Sequence, residues 1–211
     1  MHKASRILLV IGIPLLLFSC KKKGVVEYTV VGAITDKTFG QPAASVSIDV
    51  YATKDASLEF TLLTSTSTDA NGNYGFAFQR DLYDKIKVVP KKNNYFDGEF
   101  TINFADLSVE KDNVRNGEIY AKSWAKIIFS NPGGSPSDHL SYIKQTGKSD
   151  CEGCCPNTEN HLYGQYQDTI VCINNGNSNY SFLYNKYTAG NQGVETISTI
   201  AFDTTMLMFT H

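Results

Sequence analysis

Cys151, Cys154 and Cys155 lie in one loop, Gly147–His161, and Cys172 follows on the next expected strand. Four thiols in an oxidising compartment pair as two disulfides, with three possible connectivities. A bond between the adjacent Cys154 and Cys155 is strained, so each is expected to take one distant partner. In the expected arrangement Cys172 pins the loop to the sheet and Cys151 closes a small ring. Closing a fifteen-residue loop contributes ~3 kcal/mol on the chain-entropy model. The alternative is zinc, held by Cys151, Cys154, Cys155 and either His161 or Cys172. Its weakness is a single Cys-x-x-Cys without the matching second pair. Redox chemistry of the thioredoxin kind wants that motif at a helix N-terminus in a βαβ setting, which is not visible. A nucleophile pair of Cys155 and His161 lacks an orienting third group. His139, His161 and His211 are scattered, and the zinc-protease, serine-elbow and phosphate-loop motifs are missing. The reading is a protein that is not an enzyme and takes no cofactor.

The compartment is written at the N-terminus. His2, Lys3 and Arg6 precede an apolar run, Ile7–Phe18, broken only by Gly12 and Pro14 and ending in Ser19-Cys20. That order is a secretory signal peptide, and its apolar run is too short for the roughly twenty residues that span a bilayer. Leu17-Phe18-Ser19-Cys20 resembles the lipobox of bacterial lipoproteins, with Phe18 bulkier than usual. The resemblance implies that residues 1–19 are removed and that Cys20, acylated (palmitate), becomes the mature N-terminus on the outer membrane. Lys21-Lys22-Lys23-Gly24 then forms a tether of ~17 Å at full extension. Each lysine beside anionic headgroups adds about 1 kcal/mol. Surface lipoproteins of the Bacteroidetes often carry acidic residues there, so lysines favour the periplasmic side.

Of 211 residues, 192 remain after processing, enough for one large domain or two small ones. Losing Lys3 and Arg6 moves the formal charge from −2 to −4, which offers no basic footprint for nucleic acid. Twelve Tyr, twelve Phe and abundant turn formers, without long Leu/Ala/Glu/Lys periodic stretches, predict an all-β protein of two β-sandwich domains in tandem.

The first domain is expected over residues 25–105. Strands are read around Tyr28–Ile34, Val46–Val50, Leu58–Thr68, Tyr74–Phe78, Ile86–Val89 and Phe100–Phe104, with Asp69-Ala70-Asn71-Gly72 as a hairpin turn. A calcium reading of Asp69-x-Asn71-Gly72-Asn73 fails, because Gly72 comes fourth and Arg80 stands where a calcium loop needs glutamate. Gly32-Ala33-Ile34-Thr35-Asp36, Gly40-Gln41-Pro42 before Val46-Ser47-Ile48, and Thr68–Tyr74 together resemble the carboxypeptidase regulatory-like domain. Ala44 stands where that family usually has Gly or Val. The resemblance, over about 65 residues, implies a transthyretin-like sandwich acting as a non-catalytic folding or docking module.

The polar stretch 106–116 reads as the domain boundary, and residues 117–211 as a second, immunoglobulin-like sandwich. Its strands are expected at Glu118–Phe129, Thr169–Ile173, Tyr180–Tyr184, Val194–Ala201 and Met206–Phe209, with a helical turn at Asp138–Ile143 capped by Asp138. Tyr163, Tyr166, Tyr180, Tyr184 and Tyr187 crowd this half; most are expected in the core, with Tyr163 and Tyr166 as possible ligand contacts. The expected function is binding or assembly in the cell envelope, through the membrane anchor and an envelope protein or a glycan. A glycan-binding accessory lipoprotein and a zinc-binding protein are the alternatives.

Overall fold

A computed structural model of the protein describes residues 26–54 and 59–210. The signal peptide, Cys20 and the lysine tether lie outside the described residues, as does Leu58. The described residues form strands and turns, with one 3-10 turn at Phe104–Asp106.

The first sandwich packs two layers. One is β3 (Ser47–Lys54), β4 (Thr61–Ser67), β6 (Tyr83–Lys91) and β8 (Phe100–Asn103), in the order β4-β3-β6-β8. The other centres on β1 (Glu27–Asp36), flanked by β5 (Asn73–Gln79) and β2 (Gln41–Pro42) on one edge and by β9 (Asn113–Val114) on the other. Alternation builds the core: Tyr74, Phe76 and Phe78 share the inward face of β5, and Ile48 and Val50 that of β3. Pro90, just past the strand expected over Ile86–Val89, sits inside β6.

Asp69–Asn73 is a turn but not a hairpin. It carries the chain from β4 in one layer to β5 in the other. Asp69 Oδ1 accepts the Asn71 and Asn73 N–H groups, both at 2.8 Å, and Gly72 takes a positive φ of 75°. The carboxylate the calcium reading considered is used on the backbone, which holds its pKa below the ordinary aspartate value.

The boundary also differs from the expectation at residues 106–116. Asn113 is buried, and its amide donates to the Thr29 and Ser108 carbonyls. Past β9 the chain enters β10 (Gly117–Asn131), which runs on along β1 in parallel and then pairs with β7 (Tyr95–Phe96). The offset never changes: Val30 faces Asn113 and Ile34 faces Gly117, 83 positions apart in both cases. Gly32 allows this run, because a Cβ there would meet the Arg115 carbonyl oxygen at 1.6 Å. Within this stretch Asn113 and Asn116 bond to the β1 backbone, while Glu110, Lys111 and Asp112 face solvent as their composition suggests.

Strand β10 belongs to both sandwiches. Ile119 and Ala121 face the first core, and Ala125, Ile127 and Phe129 face the second. Between them Ser123, fully buried, lies 2.9 Å from the Asn175 carbonyl oxygen and 2.8 Å from Thr199 Oγ1. The division therefore falls inside one strand, marked by a polar residue in an apolar alternation. Phe202 closes the seam from the second half, stacking on Phe39 and meeting Tyr95 edge-on at 5.3 Å.

In the second sandwich β10 pairs with β13 (Tyr166–Asn175) and, in parallel, with β16 (Thr204–Thr210). The facing layer holds β11 (His139–Thr146), β12 (Asn160–Tyr163), β14 (Asn179–Lys186) and β15 (Asn191–Ser198), in the order β12-β11-β14-β15. The helical turn expected at Asp138–Ile143 is instead the start of β11. Leu140 and Tyr142 are two apart and both enter the core, a strand period. Asp138 caps no helix; its carboxylate accepts the Ser135 N–H and the Asn131 amide.

Candidate functional site

Strands β10 and β11 meet in a turn that sets one end of the molecule. Asn131, the last residue of β10, donates to Asp138 Oδ2 at 3.1 Å and to the Gly164 carbonyl at 2.9 Å. Gly134 lets these turns close, because a Cβ there would sit 2.3 Å from the Gly164 oxygen. Tyr187 N–H donates to the His139 carbonyl, and Thr188 Oγ1 to that of Ser137. Three turns are thus tied into a rigid tip.

Four rings stand on this tip. His139 opens β11, with Tyr163 directly across on β12 and Tyr187 just past β14 on the other side. Their rings stack on His139 at 4.4 and 4.2 Å, within 14° and 8° of parallel. His139 is therefore sandwiched between two tyrosines, which are 62% and 48% exposed. His161, diagonal to His139 on β12, brings Nδ1 to 3.0 Å from His139 Nε2. On its other side, His161 Nε2 lies 4.0 Å from Glu159 Oε2. Glu159 and Tyr187 also border a groove of about 120 Å³ on the outer face of the sheet. That is well below the roughly 300–1,000 Å³ of pockets that enclose small molecules. The tip is a surface that touches, not a chamber that encloses.

Tyr163 and Tyr166, named together as possible ligand contacts, lie on strands of opposite layers. Tyr166 belongs to the opposite layer and packs half-buried against the second core; burial pushes its hydroxyl up to about 12. Tyr180 is core, and Tyr184 packs on Phe209 at 4.8 Å. His139 and Tyr187 join Tyr163 instead. Sequence reading missed this set because it placed His139 in a helical turn and His161 in a loop. The available signal was the two-residue spacing of His161 and Tyr163.

The cystine loop is a separate feature of the second sandwich. The structure pairs Cys155 with Cys172 and Cys151 with Cys154, both with Cα atoms 5.3 Å apart. Cys154 thus takes a near partner rather than a distant one, closing the small ring by itself. With all four sulfurs paired, the zinc alternative has no thiolate to use, and Cys155 has none for the nucleophile pair with His161. Lys144 is buried beneath the loop. Its ammonium donates to the carbonyls of Lys148, Cys154 and Cys155. Burial pulls this lysine below its usual pKa, while three acceptors match the three donors that only the ammonium form has.

No family model matches the chain, and no curated protein does. Among solved structures, the shaft pilin SpaA of Lactobacillus rhamnosus GG is similar at 8% identity and a TM-score of 0.35, over 87% of this chain and 97% of that one. The minor pilin GBS52 of Streptococcus agalactiae is similar at 13% identity and a TM-score of 0.38, over 87% and 94%. A 3-chlorocatechol 1,2-dioxygenase of Rhodococcus opacus 1CP is similar at 12% identity and a TM-score of 0.33, over 46% and 60%. Pilins and an enzyme thus stand side by side at this level of likeness, where fold does not convey activity.

Proposed function

We propose that this protein is a lipid-anchored component of the cell envelope that works as a non-catalytic binding or assembly module. The first sandwich, as a carboxypeptidase regulatory-like domain, is the support near the membrane, and the second presents the contact surface. The carrying observation is that β9 and then β10, separated by Arg115 and Asn116, run parallel to β1 at one register. In the sequence, Glu27 at the start of β1 follows the expected lipidation site Cys20 by seven positions. From Glu27 to Ile34, and on from Gly117 to Asn131, the run extends up to about 70 Å at ~3.3 Å per residue. On this reading the Tyr163–His139–Tyr187 stack, at the Asn131 end of β10, is the end turned away from the membrane. The two cystines are in keeping with export to an oxidising compartment. The partner is an envelope protein or a glycan, met on the periplasmic side.

The test is site-specific photo-cross-linking in intact cells, with the probe at Tyr163 and, separately, at Thr64 on the first sandwich. Adducts from position 163 that disappear in Tyr187→Ala support the reading. Adducts from position 64 alone would overturn it. So would hydrolysis of a peptide or glycan panel by the purified protein, if one point mutation abolished it. Two exposed tyrosines flanking an imidazole also suit the faces of sugar rings. On a glycan array, that narrower reading expects binding lost in Tyr163→Ala and in Tyr187→Ala.

A further inference from the structure

We propose that the open edge of β16 pairs antiparallel with the same edge of a second copy of this chain, about a two-fold axis at Leu207. The inference adds a self-contact to the envelope reading and stands whether or not Cys20 is acylated. Among the described residues β16 pairs with β10 alone, in parallel and without a break from Thr204 to Thr210. The Trp124 N–H donates to the Asp203 carbonyl, so the odd-numbered residues of β16 direct their backbone groups to β10. Successive residues of a strand alternate in that direction, which turns the N–H and C=O groups of Met206 and Met208 to the open side. Such an edge is a template for another strand, and proteins that keep it single place charges, proline or a bulge on it. Thr204-Thr205-Met206-Leu207-Met208-Phe209-Thr210 has none of these. The edge strand β4, by contrast, is bulged where it meets Val50 and Tyr51.

The strand's own pattern selects a second copy as the occupant. Read about Leu207 it is nearly palindromic: Met206 mirrors Met208, and Thr204 mirrors Thr210. Antiparallel pairing centred there sets Met206 opposite Met208 of the second copy. That is a hydrogen-bonded pair, built from the very groups that face the open side. The side chains of Met206 and Met208 point to the outer face, 61% and 65% exposed. The apolar surface continues through Ile128 on β10 and Val171 on β13, the latter 48% exposed. Pairing brings four methionines side by side, and their flexible thioether chains adapt to such a contact. Leu207, half-buried at the margin of the second core, meets its own copy across the axis. Seven residues a side fall short of the roughly 20–30 of a standard interface. The dimer is therefore expected to form and dissociate, and its test has to trap it.

The experiment is disulfide trapping of the full chain in intact cells under mild oxidation. In the proposed ladder the two Leu207 residues form a non-hydrogen-bonded pair with Cα atoms ~4.5 Å apart, within the span of a disulfide. The two Met206 residues lie diagonally, ~8 Å apart, beyond that span. Leu207→Cys is expected to give a dimer on non-reducing gels, joined at position 207 by peptide mass, at least about tenfold above Met206→Cys. Adding Met206→Glu/Met208→Glu sets like charges opposite each other in the dimer and should lower that yield at least about tenfold. Within its own chain position 206 faces Lys126, so the glutamates leave the pairing with β10 intact. Because Leu207 borders the core, Met206→Cys/Met208→Cys is the second variant, with both side chains outward. It should link position 206 of one chain to position 208 of another. A cysteine at 207 that links only to other proteins overturns the proposal, as does failure of both cysteine variants to link. Equal yields from Leu207→Cys and Met206→Cys, or a yield unmoved by the two glutamates, overturn it equally.

Discussion

Tyr74, Tyr166 and Tyr180 are each held neutral by burial, which pushes their hydroxyls up to about 12. Tyr95 is raised too, first by burial and then by its hydrogen bond to Asp36 Oδ2 at 2.6 Å. In the unfolded chain tyrosines ionise near pH ~10. A raised folded-state pKa means stability that is complete below that pH and is lost as pH climbs toward 12. The urea midpoint should therefore hold steady up to about pH 9 and fall steeply by about pH 11. Equal midpoints at both would show that the buried hydroxyls ionise freely. At this scale the sequence was half legible. Aromatics two apart on β5 announced a buried face, but nothing local distinguished Tyr166, half-buried, from Tyr163, exposed. The turn at Gly164, with its positive φ of 65°, sends the two to opposite layers.

The loop 147–159 has little regular structure, and its order comes from ties to itself and to the strands beside it. Among them are the two cystines, the Ile173 N–H on the Gly153 carbonyl, the Lys148 N–H on Asn174 Oδ1, and Lys144, which reaches from β11 to three loop carbonyls. Lys144→Met keeps the aliphatic stem but strands those oxygens. It should cost about 1.5–3 kcal/mol, the range for hydrogen bonds to a charged donor, read as a lowered urea midpoint with both disulfides still formed. A midpoint within error of the native value would remove Lys144 from this account. Strand β11 was the element hardest to read. Asp138 before a short polar and apolar mix imitates a helix start, and only the packing of Leu140 and Tyr142 against Phe129 decides for a strand. Strand β10 was legible as a strand from its alternation, but its service to two cores was not. Alternation reports which face is buried and is silent about what buries it.

Across the whole molecule, one strand and one seam join the two cores, so neither sandwich is expected to melt alone. Phe129 is fully buried against Tyr142, Phe182 and Phe209. Phe129→Ala should cost about 3–5 kcal/mol. In scanning calorimetry it should lower one shared transition rather than split off a second. Two separated peaks would show that the sandwiches are energetically independent despite the shared strand.

The unchanged register between β1 and the β9–β10 run also fixes how the protein answers a mechanical pull. A force drawing the distal tip away from the N-terminus tugs β1 by its first residue and β10 by its last, in opposite directions along parallel strands. The hydrogen bonds between them are then strained together, in shear, rather than peeled open one after another. The chain is arranged as a strut that resists extension along its length and gives way more easily when pulled from the side.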